Sequence, residues 1–354
     1  MERIESSRLE PGILGMPTHP ATVLRRGATP LLALLLLFSL LAGLVIGRYA
    51  IAPTEILAIL FTDDTHDPVA RQVVEAVRLP RVLLAAVMGA GLAAAGAALQ
   101  SLFRNPLAEP QLLGVSSGSA FGGVLAMLWI GDGLPVIVGA LLFGFLALVA
   151  VFRLAGKQTG RSGGAVLLVL AGVVIGGVFT AGVSLVKLAA DPQNQLPAIV
   201  FWLMGSLSGA NMERLLFALP LVGVSLALLH GLRFQLLALA LGSEDARTLG
   251  VKVGPARALT LAAVGLITAV SVAACGVIGW VGLIVPHLTR MACGGDHRHF
   301  LPRVMLAGAA YLVLVDTAAR SLMATEIPLG VLTALLGAPI FALLVRRIGR
   351  GMEA

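Results

Sequence analysis

Long apolar runs dominate this sequence and leave it very few ways to fold in water. One of them, LLALLLLFSLLAGLVIG at residues 31–47, contains no charged residue. Over all 354 residues, 58% are hydrophobic and 12% are charged, whereas a soluble domain has about 25% charged residues. A water-soluble fold of this length could not hide so much apolar surface beneath a polar exterior. Lipid must therefore be the solvent for most of the chain.

The lengths of the apolar runs predict how often the chain crosses the membrane. A hydrocarbon core about 30 Å thick needs about 20 mostly apolar residues for each crossing helix. The run at 257–292 is too long for one crossing, so we divide it at CGVIGWVG. The first run resembles a secretory signal, but the many later spans favour a retained helix. The sequence thus predicts an all-α membrane protein with about ten transmembrane helices, at approximately 29–48, 82–102, 114–131, 134–153, 165–187, 215–233, 257–277, 278–292, 303–323 and 328–346.

The charges between the runs predict the orientation. Basic residues are concentrated in alternate loops and acidic residues in the others, although several arginines break this pattern. The positive-inside rule then places both termini in the cytoplasm. We expect residues 1–28 to be a disordered cytoplasmic segment, 29–347 the transmembrane domain and 348–354 a cytoplasmic tail. The two longest outer segments, about 49–80 and 188–213, are expected to contain short surface helices.

No motif in the sequence indicates an enzyme. There is no G-x-x-x-x-G-K-[ST] loop to bind ATP phosphates, and no protease, hydrolase or kinase motif. His297 and His299 are interpreted as solvated side chains of a cytoplasmic turn, so we expect neither a metal site nor a bound cofactor in this chain. The net charge of +7 comes without a basic patch interleaved with aromatics, which argues against nucleic acid. Asp316 and Arg320 form the clear ionisable pair within a span, whereas a proton-driven carrier would need a chain of carboxylates.

A charged element, LALGSEDARTLGVKVGPAR at 239–257, interrupts the apolar runs. Ser243 can cap a helix start, acidic residues occupy the first turn, and Gly250 suits the position after the last turn. The prediction is a cytoplasmic helix of about two turns with Ala246 and Leu249 on one side. A helix this short is marginal unless it packs on something, which could be its own protein or another chain.

At the outer end of the second span, the segment RLPR places Arg78 and Arg81 three residues apart. Both side chains can then face water on one side of a helix start. They could bind a partner outside the membrane, or they could anchor the helix at the interface by extending their charged ends into water.

Several long segments together resemble the permease family of ATP-binding-cassette (ABC) importers for ferric siderophores, haem and cobalamin. They span about 78 to 347 and read, in order, RLPRVLLAAVMGAGLAAAGAALQSLFRNPLAEPQLLGVSSG, FWLMGSLSG, LALGSEDARTLGV, GVIGWVGLIVPHLTR, DHRHFLP and EIPLGVLTALLGAPIFALLVRR. The resemblance implies a BtuC-like, type II importer fold in the bacterial inner membrane. It also implies a homodimer that works with two ABC ATPase subunits and a periplasmic or lipid-anchored substrate-binding protein. ATP and Mg would be bound by the ATPase.

The resemblance also assigns roles to particular residues. It implies that Arg78, Arg81 and Arg320 dock the binding protein through its glutamates. It implies that the fifth span lines the translocation path, with Gly172, Gly176, Gly177 and Thr180 on it. It identifies the short cytoplasmic helix as the coupling helix that enters a groove on the ATPase, formed by Ser243, Glu244, Asp245, Ala246, Arg247, Thr248, Leu249 and Gly250.

The substrate is less constrained than the class of transporter. A ferric siderophore fits the resemblance best, with haem, cobalamin and an oxyanion such as molybdate as alternatives. A secondary carrier driven by an ion gradient is the alternative from another class, and the scarcity of carboxylates in the spans argues against it. The apolar, glycine-rich fifth span suggests that a metal would travel inside its ligand.

Overall fold

The computed structural model describes residues 21–62, 67–156, 164–293 and 297–352, and every regular element in these ranges is helical. A π-helical turn, Val73–Arg78, joins α3 to α4, and a 3₁₀ turn, Pro110–Leu113, precedes α5. The α-helices are α1 (Ala21–Val45), α2 (Pro53–Phe61), α3 (Pro68–Gln72), α4 (Leu79–Phe103), α5 (Val115–Trp129), α6 (Leu134–Ala155), α7 (Gly164–Ala189), α8 (Gln195–Leu203), α9 (Met212–Gly231), α10 (Arg233–Leu241), α11 (Ser243–Thr248), α12 (Val253–Cys275), α13 (Val281–Cys293), α14 (His297–Ser321) and α15 (Leu329–Met352).

The ten predicted spans correspond to ten of these helices. Seven described helices are long and apolar enough to cross a membrane, and three shorter apolar helices, α5, α13 and the first part of α15, supply the rest. The predicted division of 257–292 is confirmed, because α12 ends at Cys275 and α13 begins at Val281. Gly276 turns the chain between them with a φ of 70°, a conformation that costs glycine little.

The first and last helices extend beyond the predicted limits of the transmembrane domain. Helix α1 already begins at Ala21, so residues 21–28 are helical, whereas residues 1–20 of the predicted disordered segment lie outside the described residues. At the other end, α15 continues through the predicted tail to Met352, and residues 353–354 lie outside the described part of the chain. An existing helix extends easily because each added residue gains a hydrogen bond without a new nucleation step. The short helices predicted in the outer segments are present as α2, α3 and α8.

Helices α4 and α12 form the centre of the subunit. In each, 78% of the most apolar window is buried, compared with 22% in α1 and α7. Helix α4 contacts α9, α12, α13 and α14, and small residues make that possible. A Cβ atom built on Gly89 would lie 2.2 Å from the Gly308 carbonyl oxygen, and one on Gly96 would lie 1.9 Å from that of Gly282. Small residues at such crossings let helix backbones approach closely in lipid.

The Gly96 contact predicts a sharp difference between two glycine substitutions. Gly96→Ala is expected to destabilise the protein by about 1–3 kcal/mol or more, because the backbone of α13 cannot move away without repacking. Gly223→Ala on α9 is the matched control, since a Cβ atom added there would meet nothing within 4 Å, and it should be neutral or slightly stabilising. Denaturant unfolding of both purified variants measures the difference, and equal midpoints would contradict the prediction.

Candidate coupling, docking and translocation sites

The predicted cytoplasmic helix is present as α11, but its first residue is not capped as expected. Gly242 is the N-cap, with φ 145° and ψ 162°, and no side chain caps the helix. Glycine alone adopts this backbone readily, so the turn falls one residue earlier than predicted and Ser243 lies inside the helix. Its hydroxyl oxygen instead accepts a hydrogen bond from Arg257 Nη2 at 2.6 Å. Ser243 therefore joins α11 to α12.

The other end of α11 agrees with the sequence. Gly250 has a φ of 81° and its N–H donates to the carbonyl of Arg247 at 2.9 Å. The N–H of Val251 donates to the carbonyl of Ala246, also at 2.9 Å. This pair of bonds is the Schellman arrangement, which satisfies carbonyls left free at a helix end. The prediction that Gly250 follows the last turn is confirmed.

Ala246 and Leu249, which the sequence predicts on one side of α11, differ in burial. Ala246 is fully buried, whereas Leu249 is 64% exposed. Leu249 is the C-cap residue after Thr248, and its N–H still donates to the carbonyl of Asp245 at 3.1 Å. Ala246 anchors α11 to its own subunit, and Leu249 lines an open groove of about 580 Å³ together with Phe234 and Leu259. Exposed apolar groups beside a charged helix are typical of a surface that binds a partner.

The three arginines predicted to dock the binding protein are buried, although the sequence predicts that Arg78 and Arg81 face water. Arg78, Arg81 and Arg320 are 3%, 6% and 7% exposed. Arg78 reaches α1, where its Nη1 donates to the carbonyls of Leu44 at 2.6 Å and Val45 at 3.0 Å. These carbonyls end α1 and would otherwise have no helical donor. The predicted exposure is therefore wrong, and the role of these arginines in docking stays a prediction.

Arg81 lies at the centre of a buried ion cluster, which we define as Arg81, Asp316, Arg320 and Glu326. Arg81 Nη2 is 2.9 Å from Asp316 Oδ1, and its Nη1 is 2.9 Å from Glu326 Oε1. Arg320 Nε is 3.7 Å from Asp316 Oδ2, as expected for residues four apart on one helix face. The cluster joins the start of α4 to α14 and to the loop before α15.

Glu326 is the accessible member of the cluster, and sequence reasoning misses it. Its side chain is 27% exposed, whereas that of Asp316 is 1% exposed. Partial burial raises the pKa of Glu326, but the hydrogen bond and charge of Arg81 outweigh that effect and hold the pKa below its usual value. No sequence pattern links Glu326 to Arg81, because the two residues are 245 positions apart.

The predicted path residues on α7 divide between two faces. Gly177 and Thr180 are exposed, whereas Gly172 is buried. A Cβ on Gly172 would lie 2.1 Å from the carbonyl oxygen of Leu112, so this glycine packs closely on the segment before α5, and its place on the path stays a prediction. Gly176 faces the backbone of Gly114. The exposed face of α7 is apolar and includes Val166, Leu170, Val173, Val174, Val178 and Leu185.

The loop after α4 contacts both the start of α13 and helix α7. Glu109 Oε1 accepts a hydrogen bond from the N–H of Trp280 at 2.6 Å, and Trp280 precedes α13 with a φ of 70°. A carboxylate is favourable at a helix start. Since Leu112 packs on α7, the segment from Glu109 to Gly114 connects the break before α13 with the predicted path helix. Prolines in FRNPLAEPQLLG indicate the turn but not this contact.

Comparison with known proteins agrees with this architecture. The model of the FecCD transport family matches residues 34–347. The molybdate import system permease protein MolB of Haemophilus influenzae is 45% identical over 90% of this chain and 95% of its own length. The cobalamin import system permease protein BtuC of Halobacterium salinarum is 42% identical over 78% of this chain and 74% of its own.

A solved structure gives the same result in three dimensions. An inward-facing ABC transporter of the metal-chelate type superposes with a TM-score of 0.81 at 43% identity, covering 90% of this chain and 98% of that one. The family match extends over nearly the whole chain, and the relatives are permeases of different substrates. The chain therefore belongs to the FecCD transport family and is a multi-pass permease subunit of an ABC importer in the bacterial inner membrane.

Proposed function

We propose that this subunit forms one half of a passive conduit that a separate ABC ATPase drives through α11. The observation that carries the proposal is the combination of a buried Ala246 and an exposed Leu249. Ala246 fixes the helix to the permease, and Leu249 offers an apolar contact to another chain. Glu244, whose side chain is 71% exposed, pairs with Arg247 at 2.6 Å and adds charge to the same surface. ATP and Mg would be held by the ATPase.

The second half of the conduit would be another copy of this chain. The exposed face of α7 is a continuous apolar strip that contains Gly177 and the hydroxyl of Thr180. Two such strips facing each other would enclose a path at the dimer axis, with Thr180 and Ser184 as its polar groups. A binding protein on the outer side would deliver the substrate.

For the substrate, we propose a metal in combined form, as an oxyanion or a chelate. An apolar path with a few hydroxyl groups suits a solute whose metal is already coordinated, because a bare cation would lose its hydration without new ligands. A ferric siderophore is the candidate indicated by the sequence resemblance, with haem and cobalamin beside it. The similarity to MolB adds equal reason to test molybdate.

Reconstitution tests the proposal. The permease is placed in vesicles with its ATPase and binding protein, and uptake of ferric siderophore, haem, cobalamin, molybdate and free ferric ion is compared. We expect ATP-dependent uptake of one combined form and none of free iron. Uptake of the bare ion would contradict the substrate proposal. Saturable flux with only an ion gradient and no ATPase would contradict the importer mechanism and support the carrier alternative.

A further inference from the structure

A groove with three arginines opens where α4, α10, α13 and α14 meet. We call it the basic groove and define it by Arg104, Arg233, Arg290, Ser101, Leu237 and Phe300. It consists of two adjoining cavities of about 220 and 40 Å³ that share Ser101, Leu237 and Phe300. The end of α4, the start of α10, the last turn of α13 and the first turn of α14 all lie at the face predicted to be cytoplasmic.

The position of Arg290 in the basic groove is fixed by a buried amide. Pro286 lacks an N–H, so the carbonyl of Gly282 has no helical donor. Gln100, which is 4% exposed, supplies one, with Nε2 at 3.3 Å from that oxygen. This fixes the orientation of the amide, and Gln100 Oε1 accepts a hydrogen bond from Arg290 Nη2 at 2.6 Å. The guanidinium also lies over the ring of Phe300, with Cζ 5.0 Å from the ring centre.

Within the described residues, no acidic side chain of its own lining neutralises the basic groove; Asp245, which lies with Arg104 Nη1 beside Gly242, is outside that lining. In the ranges that the structure describes, no aspartate or glutamate lines either cavity, and no salt bridge joins Arg104, Arg233 or Arg290 to a carboxylate. Arg233 donates to the carbonyl of His230 at 3.1 Å, which leaves its charge uncompensated. Arg104 and Arg290 line the larger cavity and Arg233 lines the adjoining one, and such a set of cations fits a ligand with a concentrated negative charge.

The residues around the basic groove indicate which kind of anion it binds. Ala97, Ala98, Leu236 and Leu301 extend the basic groove along α4 towards the membrane interior. A polar, positive end at the membrane face with an apolar extension matches a headgroup and the start of its acyl chains, and basic pockets between helices on the cytoplasmic side are known to take lipid headgroups. We propose that the basic groove binds the phosphate of an anionic phospholipid from the cytoplasmic leaflet.

The test compares lipid binding to the full-length permease in detergent. Dioleoylphosphatidylglycerol, dioleoylphosphatidylcholine and inorganic phosphate are added separately, and bound lipid is counted by native mass spectrometry while thermal stability is followed. We expect selective binding of the phosphatidylglycerol. Each of Arg104→Gln and Arg233→Gln should weaken it about fivefold, because a basic residue near an anionic headgroup contributes about 1 kcal/mol. Neither side chain has a hydrogen bond or ion pair with another side chain in the described residues, and Arg233 contacts only the ring of its neighbour Phe234 among the aromatic side chains there, so both variants should fold.

Arg153→Gln is the matched control, since Arg153 is an exposed arginine in the last turn of α6 at the same membrane face. It should leave lipid binding unchanged. An equal loss in Arg153→Gln would show attraction by the general surface charge and overturn the site. Equal stabilisation by inorganic phosphate would overturn the assignment to lipid. Weaker ATPase association in Arg104→Gln, with phosphatidylglycerol binding intact, would instead identify an acidic segment of the ATPase as the occupant.

Discussion

Replacing Asp316 with asparagine should lower the free energy of unfolding of the permease by about 3–5 kcal/mol. The substitution keeps the shape of the side chain but removes the negative charge that Arg81 and Arg320 share at 2.9 Å and 3.7 Å. Both guanidinium groups are almost fully buried, so water cannot replace the lost partner. Removing one member of a buried ion pair costs more than the pair itself contributes, because a charge is left uncompensated.

Unfolding of the purified protein by denaturant in detergent measures this effect, and two controls isolate it. Glu326→Gln should cost about 1 kcal/mol or less, since its side chain is partly exposed and its pairing is weakened by solvent. Asp132→Asn, at an exposed outer turn, should be neutral. If Asp316→Asn unfolds at the same midpoint as Asp132→Asn, the buried ion cluster does not stabilise the fold.

The cluster also limits how the outer arginines could take part in docking. Arg81 already has two carboxylate partners, and only Glu326 is accessible from outside. A carboxylate on a binding protein could reach Arg81 only by displacing Glu326, because Asp316 is enclosed between α4 and α14. Docking through Arg81 would therefore exchange one ion pair for another, and such an exchange contributes more to orientation than to affinity.

The sequence predicts the fold of this chain better than it predicts the sites. Spans are recognisable because apolar composition is a local property, and the break between Cys275 and Val281 follows from length alone. Gly250, the glycine that follows the last turn of α11, is also predictable from the local sequence. The burial of Arg78 and Arg81 is not, since it depends on α1 and α14, which are distant in the sequence. The burial of Gly172 in α7 is not local either, because its neighbour Leu112 lies in the 3₁₀ turn before α5.

The double variant Leu249→Asp, Glu244→Arg should abolish ATP-driven uptake by uncoupling the permease from its ATPase. Leu249 is an exposed apolar residue at the end of α11, and an aspartate there would place an unpaired charge in the contact with the ATPase. The reversed charge at residue 244 would also repel Arg247, its present partner at 2.6 Å. Residues at the centre of an interface typically contribute about 2–4 kcal/mol, so ATPase binding should weaken roughly 30- to 1,000-fold.

Binding of the purified ATPase to the permease in nanodiscs measures the loss, and uptake in vesicles measures its consequence. The fold should persist, because Ala246 and the bond between Ser243 and Arg257 still hold α11 in place. Glu213→Gln, at the exposed outer end of α9, raises the net charge by one unit as the double variant does. It should leave ATPase binding unchanged and so controls for net charge. Unchanged association and uptake in the double variant would mean that α11 only lies on its own subunit. ATP hydrolysis would then have to be coupled to transport through another contact.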